Sequence, residues 1–174
     1  MNDFSLLKTF DVDPKFGSFL NRKFEEYRSS HPPWTKDDGF NISGYQTPNL
    51  LSWDDKEYQN FIMNDVCDLI CEYVPCVWDY HYIHFLDYDK GGRMELHNHK
   101  EHEDFVLFIY LKTCQSGQTV FYLNDLFPER TTISVTPKEN LGAVFSAMVD
   151  HEGLHTKEHK RIFVCGIKML NTIT

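Results

Sequence analysis

Hydrophobic positions change their period once along this chain, near residue 75. Before that point they recur at helical spacing, and after it they alternate or run in short blocks. Asp13-Pro14 supplies an N-cap and a first-turn proline, and Phe16, Phe19, Leu20, Phe24 and Tyr27 follow on one helical face. His31-Pro-Pro-Trp34 forbids continuation, and residues Lys36 to Leu51 read as a loop rich in Gly, Asn and Pro. Ser52-Trp-Asp-Asp-Lys restarts a helix with acidic residues in its first turn. Tyr58, Phe61, Ile62, Val66, Leu69, Ile70 and Tyr73 then form a broad apolar stripe that ends at Pro75. Such a helix packs on a sheet.

The strands expected beyond Pro75 are Val77–Tyr88, Met94–His97, Phe105–Lys112, Thr119–Asn124, Thr131–Val135, Ala143–Ala147 and Arg161–Leu170. Turn signals separate them at Gly91-Gly92, Ser116-Gly117, Asn124-Asp125, Pro128, Pro137 and Gly142. The pattern predicts a mostly β chain, a double-sheet jelly roll with N-terminal helices packed on the outside of one sheet. No repeat, low-complexity tract or linker interrupts it, so residues 1–174 read as one domain with a helical part (1–75) and a β core (77–170).

Composition narrows the classes. At 174 residues the chain is long enough to bury roughly 70% of its unfolded surface, and 41% hydrophobic residues suffice for a core without staples. The longest apolar run, Phe105 to Leu111, is far short of the ~20 residues of a membrane span. Met1-Asn-Asp-Phe-Ser lacks the basic and apolar regions of a secretory signal. Net charge is −9, against a nonspecific binder of nucleic-acid backbone. Five cysteines, odd in number and without a CxxC pair, read as free thiols. The expectation is a soluble, cytoplasmic protein.

The chemistry lies in the histidines. Of nine, His31, His81 and His84 read as surface or core residues. His97 and His99 differ, because i and i+2 share a face of a strand, and two adjacent imidazoles suit a shared metal. His151 follows the apolar strand Ala143-Val-Phe-Ser-Ala and a short turn, Met148-Val-Asp, the setting of a ligand at a barrel edge. Arg161 opens the next apolar strand, where a guanidinium must meet an anion. A planar fork beside a metal suits a dicarboxylate; the alternative turns Arg161 outward and Lys160 inward.

In order along the chain stand Ile83-His-Phe-Leu-Asp-Tyr88-Asp-Lys-Gly91, His97 nine residues after Tyr88, Phe108-Ile-Tyr110-Leu111 and Gly117-Gln-Thr119-Val-Phe121. Thr136-Pro137, Gly142-Ala-Val-Phe145, His151-Glu152-Gly153 and Arg161 complete the series. This succession, over residues 77–170, resembles the 2-oxoglutarate and iron(II)-dependent oxygenases, especially their prolyl 4-hydroxylase-like branch. The resemblance implies a dioxygenase that binds Fe(II) and 2-oxoglutarate, uses ascorbate as reductant, and hydroxylates a small-molecule or peptide substrate, a prolyl residue being the first candidate, while decarboxylating the cosubstrate to succinate. It implies metal ligation by His97, His99 and His151. It also implies cosubstrate binding by Arg161 with Thr119, and by Tyr88 unless that residue is a core tyrosine.

The family's first motif is His-x-Asp or His-x-Glu, whereas here the second slot holds His99. The carboxylates Glu101, Glu103 and Asp104 stand nearby, and His99-x-Glu101 would be a shifted motif. His102 and His155 read as loop residues. Two other readings compete: a three-histidine cupin-type dioxygenase without cosubstrate, and a non-catalytic metal-binding β-domain that binds a partner.

Overall fold

The computed structural model describes residues 6–31, 45–74, 76–123 and 131–170. The Pro-Pro-Trp stop after His31, most of the 36–51 loop, Pro75 and the turn signals Asn124-Asp125 and Pro128 lie outside them. Among the described residues, ten strands form two antiparallel sheets. The larger sheet runs in the order β1 (Leu7–Asp11), β8 (Leu141–Ser146), β5 (Phe105–Tyr110), β10 (Lys160–Met169), β3 (Trp78–Tyr88) and β2 (Tyr45–Gln46). The smaller runs β4 (Met94–His97), β9 (Asp150–Gly153), β6 (Thr119–Tyr122) and β7 (Thr132–Val135). The expected jelly roll is the observed architecture.

Helix α1 spans Pro14–Ser30, and the Asp13 carboxylate accepts from the Lys15 amide at 2.9 Å, as its Asp-Pro start predicts. The second helical stretch starts at Lys56 rather than Ser52, because Leu50–Ser52 closes a 3₁₀ turn first. Asp55 caps it, accepting from the Tyr58 amide at 2.8 Å. It runs as α2 (Lys56–Phe61), a π turn over Ile62–Val66 and α3 (Cys67–Tyr73). Lys23, buried on α1, ties the two together by reaching Asp55 at 2.8 Å and Glu57 at 2.9 Å.

Two cores result, one on each face of the larger sheet. On the outer face Leu20, Phe24, Tyr58 and Ile70 of the helices pack against Ile83, Phe85, Phe163 and Cys165. Between the sheets Leu86, Tyr88, Phe108, Tyr110, Phe121 and Phe145 meet Ile162 and Val164. Each such side chain contributes about 1.5–3 kcal/mol of burial, so both faces of the sheet are firmly covered. β10 therefore runs buried on both sides. Its even residues up to Val164 face the inter-sheet core and its odd residues up to Cys165 face the helices.

Three strands were not anticipated: β1, β2 and β9, the last replacing part of the turn expected around Asp150. The run from Phe105 leaves the sheet at Tyr110, two residues before Lys112. Gly142, a turn signal by residue type, lies inside β8. It is needed there because its register partner on the neighbouring strand β1 is Phe10, whose ring a Cβ would meet at 2.4 Å. Among the described residues no helix is long and apolar enough to cross a membrane.

Candidate functional site

The smaller sheet brings the histidines together by register. β4 pairs with β9 so that His97 faces His151, and β9 pairs with β6 so that His151 faces Phe121. His99 lies just beyond β4, where its amide donates to the Ala147 carbonyl at 2.9 Å and folds the chain back toward β9. The ring centroids are 4.2 Å apart for His97 and His151, 4.9 Å for His97 and His99, and 5.3 Å for His99 and His151. One ring nitrogen from each lies within 4.8 Å of the others.

Two of the imidazoles turn Nδ1 to a carbonyl acceptor. His97 Nδ1 lies 2.7 Å from the Glu95 carbonyl and His151 Nδ1 lies 3.1 Å from the Val149 carbonyl. A carbonyl only accepts, so in both rings Nδ1 carries the proton and Nε2 keeps its lone pair. His99 Nδ1 stands 3.3 Å from Glu103 Oε2. Burial, aided by the nearby His97, pushes His151 down to about 3, and burial lowers His97 as well. The two are held neutral, the form in which imidazole ligates a metal. These rings therefore fit a divalent ion of the iron, zinc and copper group.

The triad opens on a cavity of about 740 Å³ between the sheets. Phe108, Phe145, Ile162 and Val164 give it apolar walls, and Tyr88, Thr119 and Lys160 bring polar atoms to it. Lys160 is only 1% exposed. Its Nζ donates to the Gly117 carbonyl at 2.9 Å and sits 4.6 Å from the centre of the buried Tyr88 ring. Gly117 turns its backbone at φ 75°, a conformation that glycine adopts without strain. Burial pushes the Lys160 ammonium down to about 8, and among the described residues no carboxylate lies within ion-pair distance of it. Thr119 Oγ1 is 2.6 Å from the Tyr110 hydroxyl.

Arg161 is not at the cavity. Its guanidinium lies 3.5 Å from the centre of the Phe24 ring on the helix side, with Nε 3.2 Å from Asp87 and Nη2 2.9 Å from Glu25. The correction follows from strand parity: Lys160 shares its face with Ile162, and Arg161 shares its face with Phe163. Tyr88 and Thr119 do line the cavity with the three histidines. Of the nearby carboxylates, Glu101 is exposed, and Asp104 accepts from the Met169 amide at 2.8 Å while facing Lys168. None of the three joins the imidazole group. His155 places Nδ1 against the Gly91 carbonyl at 3.0 Å. His102, with His81 and His84, lines the cavity on the side away from Lys160's strand end, and His81 and His102 are exposed. The link from Glu103 to both His99 and His81 was not foreseen, and only the four-residue spacing from His99 hinted at it.

No protein-family model matches the sequence, and no curated protein matches it. Solved structures do. A prolyl-4-hydroxylase from Pseudomonas putida aligns with a TM-score of 0.72 at 13% identity, over 95% of this chain and 94% of that one. A viral collagen prolyl hydroxylase from Paramecium Bursaria Chlorella virus-1, solved as its 2-oxoglutarate complex, aligns at 0.64 and 16% identity over 97% and 98%. The non-heme, alpha-ketoglutarate-dependent epimerase SnoN of nogalamycin biosynthesis aligns at 0.77 and 9% identity over 95% and 78%. This chain has the jelly-roll fold that 2-oxoglutarate and iron(II)-dependent oxygenases share.

Proposed function

We propose that the cavity is the active site of a 2-oxoglutarate and Fe(II)-dependent dioxygenase, with His97, His99 and His151 as metal ligands. Lys160, rather than Arg161, holds the far carboxylate of 2-oxoglutarate. One observation carries the reading: a fully buried ammonium, with no carboxylate partner among the described residues, lines the same apolar cavity as three convergent imidazoles. A lone buried cation is costly unless an anion meets it, and a dicarboxylate chelating the metal would bring that anion. Likeness to solved oxygenases supports the fold that such a site requires.

Iron(II) with 2-oxoglutarate, when bound, supplies oxidation of an unactivated C–H bond, coupled to loss of carbon dioxide and formation of succinate. The chain's own residues do the positioning. Lys160 Nζ keeps one donor on Gly117 and has others for the incoming carboxylate. Thr119 donates to the same carboxylate when Tyr110, whose hydroxyl burial keeps protonated, donates to Thr119. Tyr88 is the platform beneath the ammonium. Phe108, Phe145, Ile162 and Val164 exclude water. A substrate enters past His81, His84 and His102, and a prolyl residue in a peptide is the first to try.

The test is an anaerobic spectrum of the protein with Fe(II) and 2-oxoglutarate. A weak visible charge-transfer band that is kept in Arg161→Ala and lost in Lys160→Ala is expected. Absence of any band, with no 2-oxoglutarate binding by calorimetry, overturns the reading. The all-histidine ligand set favours a second reading, a dioxygenase without cosubstrate, for which oxygen uptake would proceed in the absence of 2-oxoglutarate.

A further inference from the structure

Three neutral ligands leave the charge of a divalent ion uncompensated inside an apolar cavity, where the low dielectric makes that costly. One buried carboxylate stands next to the triad. Glu103 is 5% exposed, with Oε2 3.3 Å from His99 Nδ1 and Oε1 2.5 Å from His81 Nδ1. Its position is fixed by the backbone. A turn over residues 100–102 closes with the Glu103 amide donating to the His99 carbonyl at 3.0 Å, and the next amide, Asp104, donates to Ile167 at 2.9 Å. Held between the two imidazoles, the carboxylate has both of its oxygens engaged. An anion is thus built in one imidazole away from the metal-binding nitrogens.

The geometry points to Glu103 as a positioning residue that delivers, through the His99 ring, the negative charge that a carboxylate ligand would otherwise bring to the metal. His81 is its anchor. The inference rests on the proposed metal site. A carboxylate on the far nitrogen of a ligating imidazole fixes its tautomer and orientation and makes the ring a stronger donor. Together a dication, three neutral rings and Glu103 carry the same net charge as a dication, two rings and a directly bound carboxylate. The site would then differ from a two-histidine, one-carboxylate centre in where the anion sits, and not in how much charge it carries. A bland role competes with this one: Glu103 could serve only to pin the 100–102 turn to β3 through His81.

A metal-binding cycle separates the two. Co(II) affinity is measured by competition titration on the full chain for the wild type, Glu103→Gln, His99→Asp and the double variant. The expected result is a 10–100-fold weaker affinity for Glu103→Gln in the wild-type background. In the His99→Asp background, where a carboxylate already occupies the ligand slot, the same change should cause no further loss. Equal losses in both backgrounds, or no loss in either, would overturn the inference and leave the metal site standing. Failure of the wild type to bind Co(II) at all would overturn both. If Glu103→Gln does not fold, nitrogen-15 spectra of the wild-type Zn(II) form decide. His99 should coordinate through Nε2 and show a far-downfield, slowly exchanging Nδ1 proton. Coordination through Nδ1, or a freely exchanging Nδ1 proton, would overturn it.

Discussion

Lys160 and Arg161, adjacent in sequence, point to opposite faces of β10: one ammonium lines the inter-sheet cavity and the neighbouring guanidinium packs on Phe24 under the helices. The two buried cations are handled differently. Arg161 has Asp87 and Glu25 as partners, while Lys160 has a carbonyl and an aromatic face. The first is a completed structural contact. The second, among the described residues, has no carboxylate partner, and on the proposed function an incoming carboxylate supplies one.

It follows that Lys160→Met should raise the stability of the ligand-free protein while removing 2-oxoglutarate binding. Exchanging an unpaired buried charge for an apolar side chain of similar length stabilises by about 1–3 kcal/mol. Urea unfolding of the two proteins, paired with calorimetric titration of 2-oxoglutarate, measures both effects. A destabilised variant would mean that the ammonium is not a buried cost.

Arg161→Met should do the reverse. It leaves the buried Asp87 accepting from His159 Nε2 at 2.5 Å, with the exposed Arg28 guanidinium at 3.6 Å. Breaking one side of a buried pair costs about 3–5 kcal/mol when the remaining charge is stranded, and less here because those neighbours persist. A lower unfolding midpoint with unchanged 2-oxoglutarate affinity is expected.

Lys160 also sets a pH dependence. Its ammonium titrates near 8 in the fold and at 10.5 in the unfolded chain. Between those values the unfolded chain binds more protons, so stability rises with pH across that window. At about 1.4 kcal/mol per decade the gain approaches roughly 3 kcal/mol. Cosubstrate affinity should move the opposite way, falling above about pH 8 as the ammonium is lost. Unfolding at pH 7 and pH 10, wild type against Lys160→Met, isolates this term from the tyrosines, and equal pH slopes would refute it.

Much of this fold was legible in the sequence. Helix α1 was marked by Asp13-Pro14, and strands β3, β4 and β10 were located to within a residue because apolar runs and turn residues bounded them. β9 was hidden because Asp150-His-Glu-Gly has no apolar alternation, its pairing being set by β4 and β6 on either side. The convergence of His97, His99 and His151 followed from motif order. The direction of Lys160 and Arg161 did not. Ile162-Phe-Val-Cys is apolar on both faces, so its pattern carries no parity. Only the helices covering one side, through Phe24, decide which cation turns inward.

Metal binding should show itself in stability. Zn(II) at 100 times its dissociation constant adds about 2.7 kcal/mol to a protein that binds it only when folded. For a chain of this length that corresponds to about 5–10 °C in Tm. His151→Ala should abolish the increment. Glu101→Ala should keep it, since that carboxylate is exposed and outside the imidazole group. Loss of the increment in Glu101→Ala would restore the shifted ligand register.

Thr119→Val tests the other end of the cavity. The Thr119 hydroxyl is the close partner of the Tyr110 hydroxyl at 2.6 Å, and the alternative acceptor, the Val135 carbonyl, lies at 3.4 Å. Valine keeps the shape and removes the oxygen, leaving a buried phenol poorly satisfied, which costs about 1–3 kcal/mol. If Thr119 served packing alone, that would be the whole effect. Because Thr119 faces the same cavity as Lys160, 2-oxoglutarate affinity should also fall, by about 1.5 kcal/mol or roughly 10-fold for a hydrogen bond to a charged group. Thr119→Ser, which retains the hydroxyl, should recover affinity more fully than stability. A Thr119→Val protein that binds 2-oxoglutarate as tightly as the wild type would confine the residue to the core.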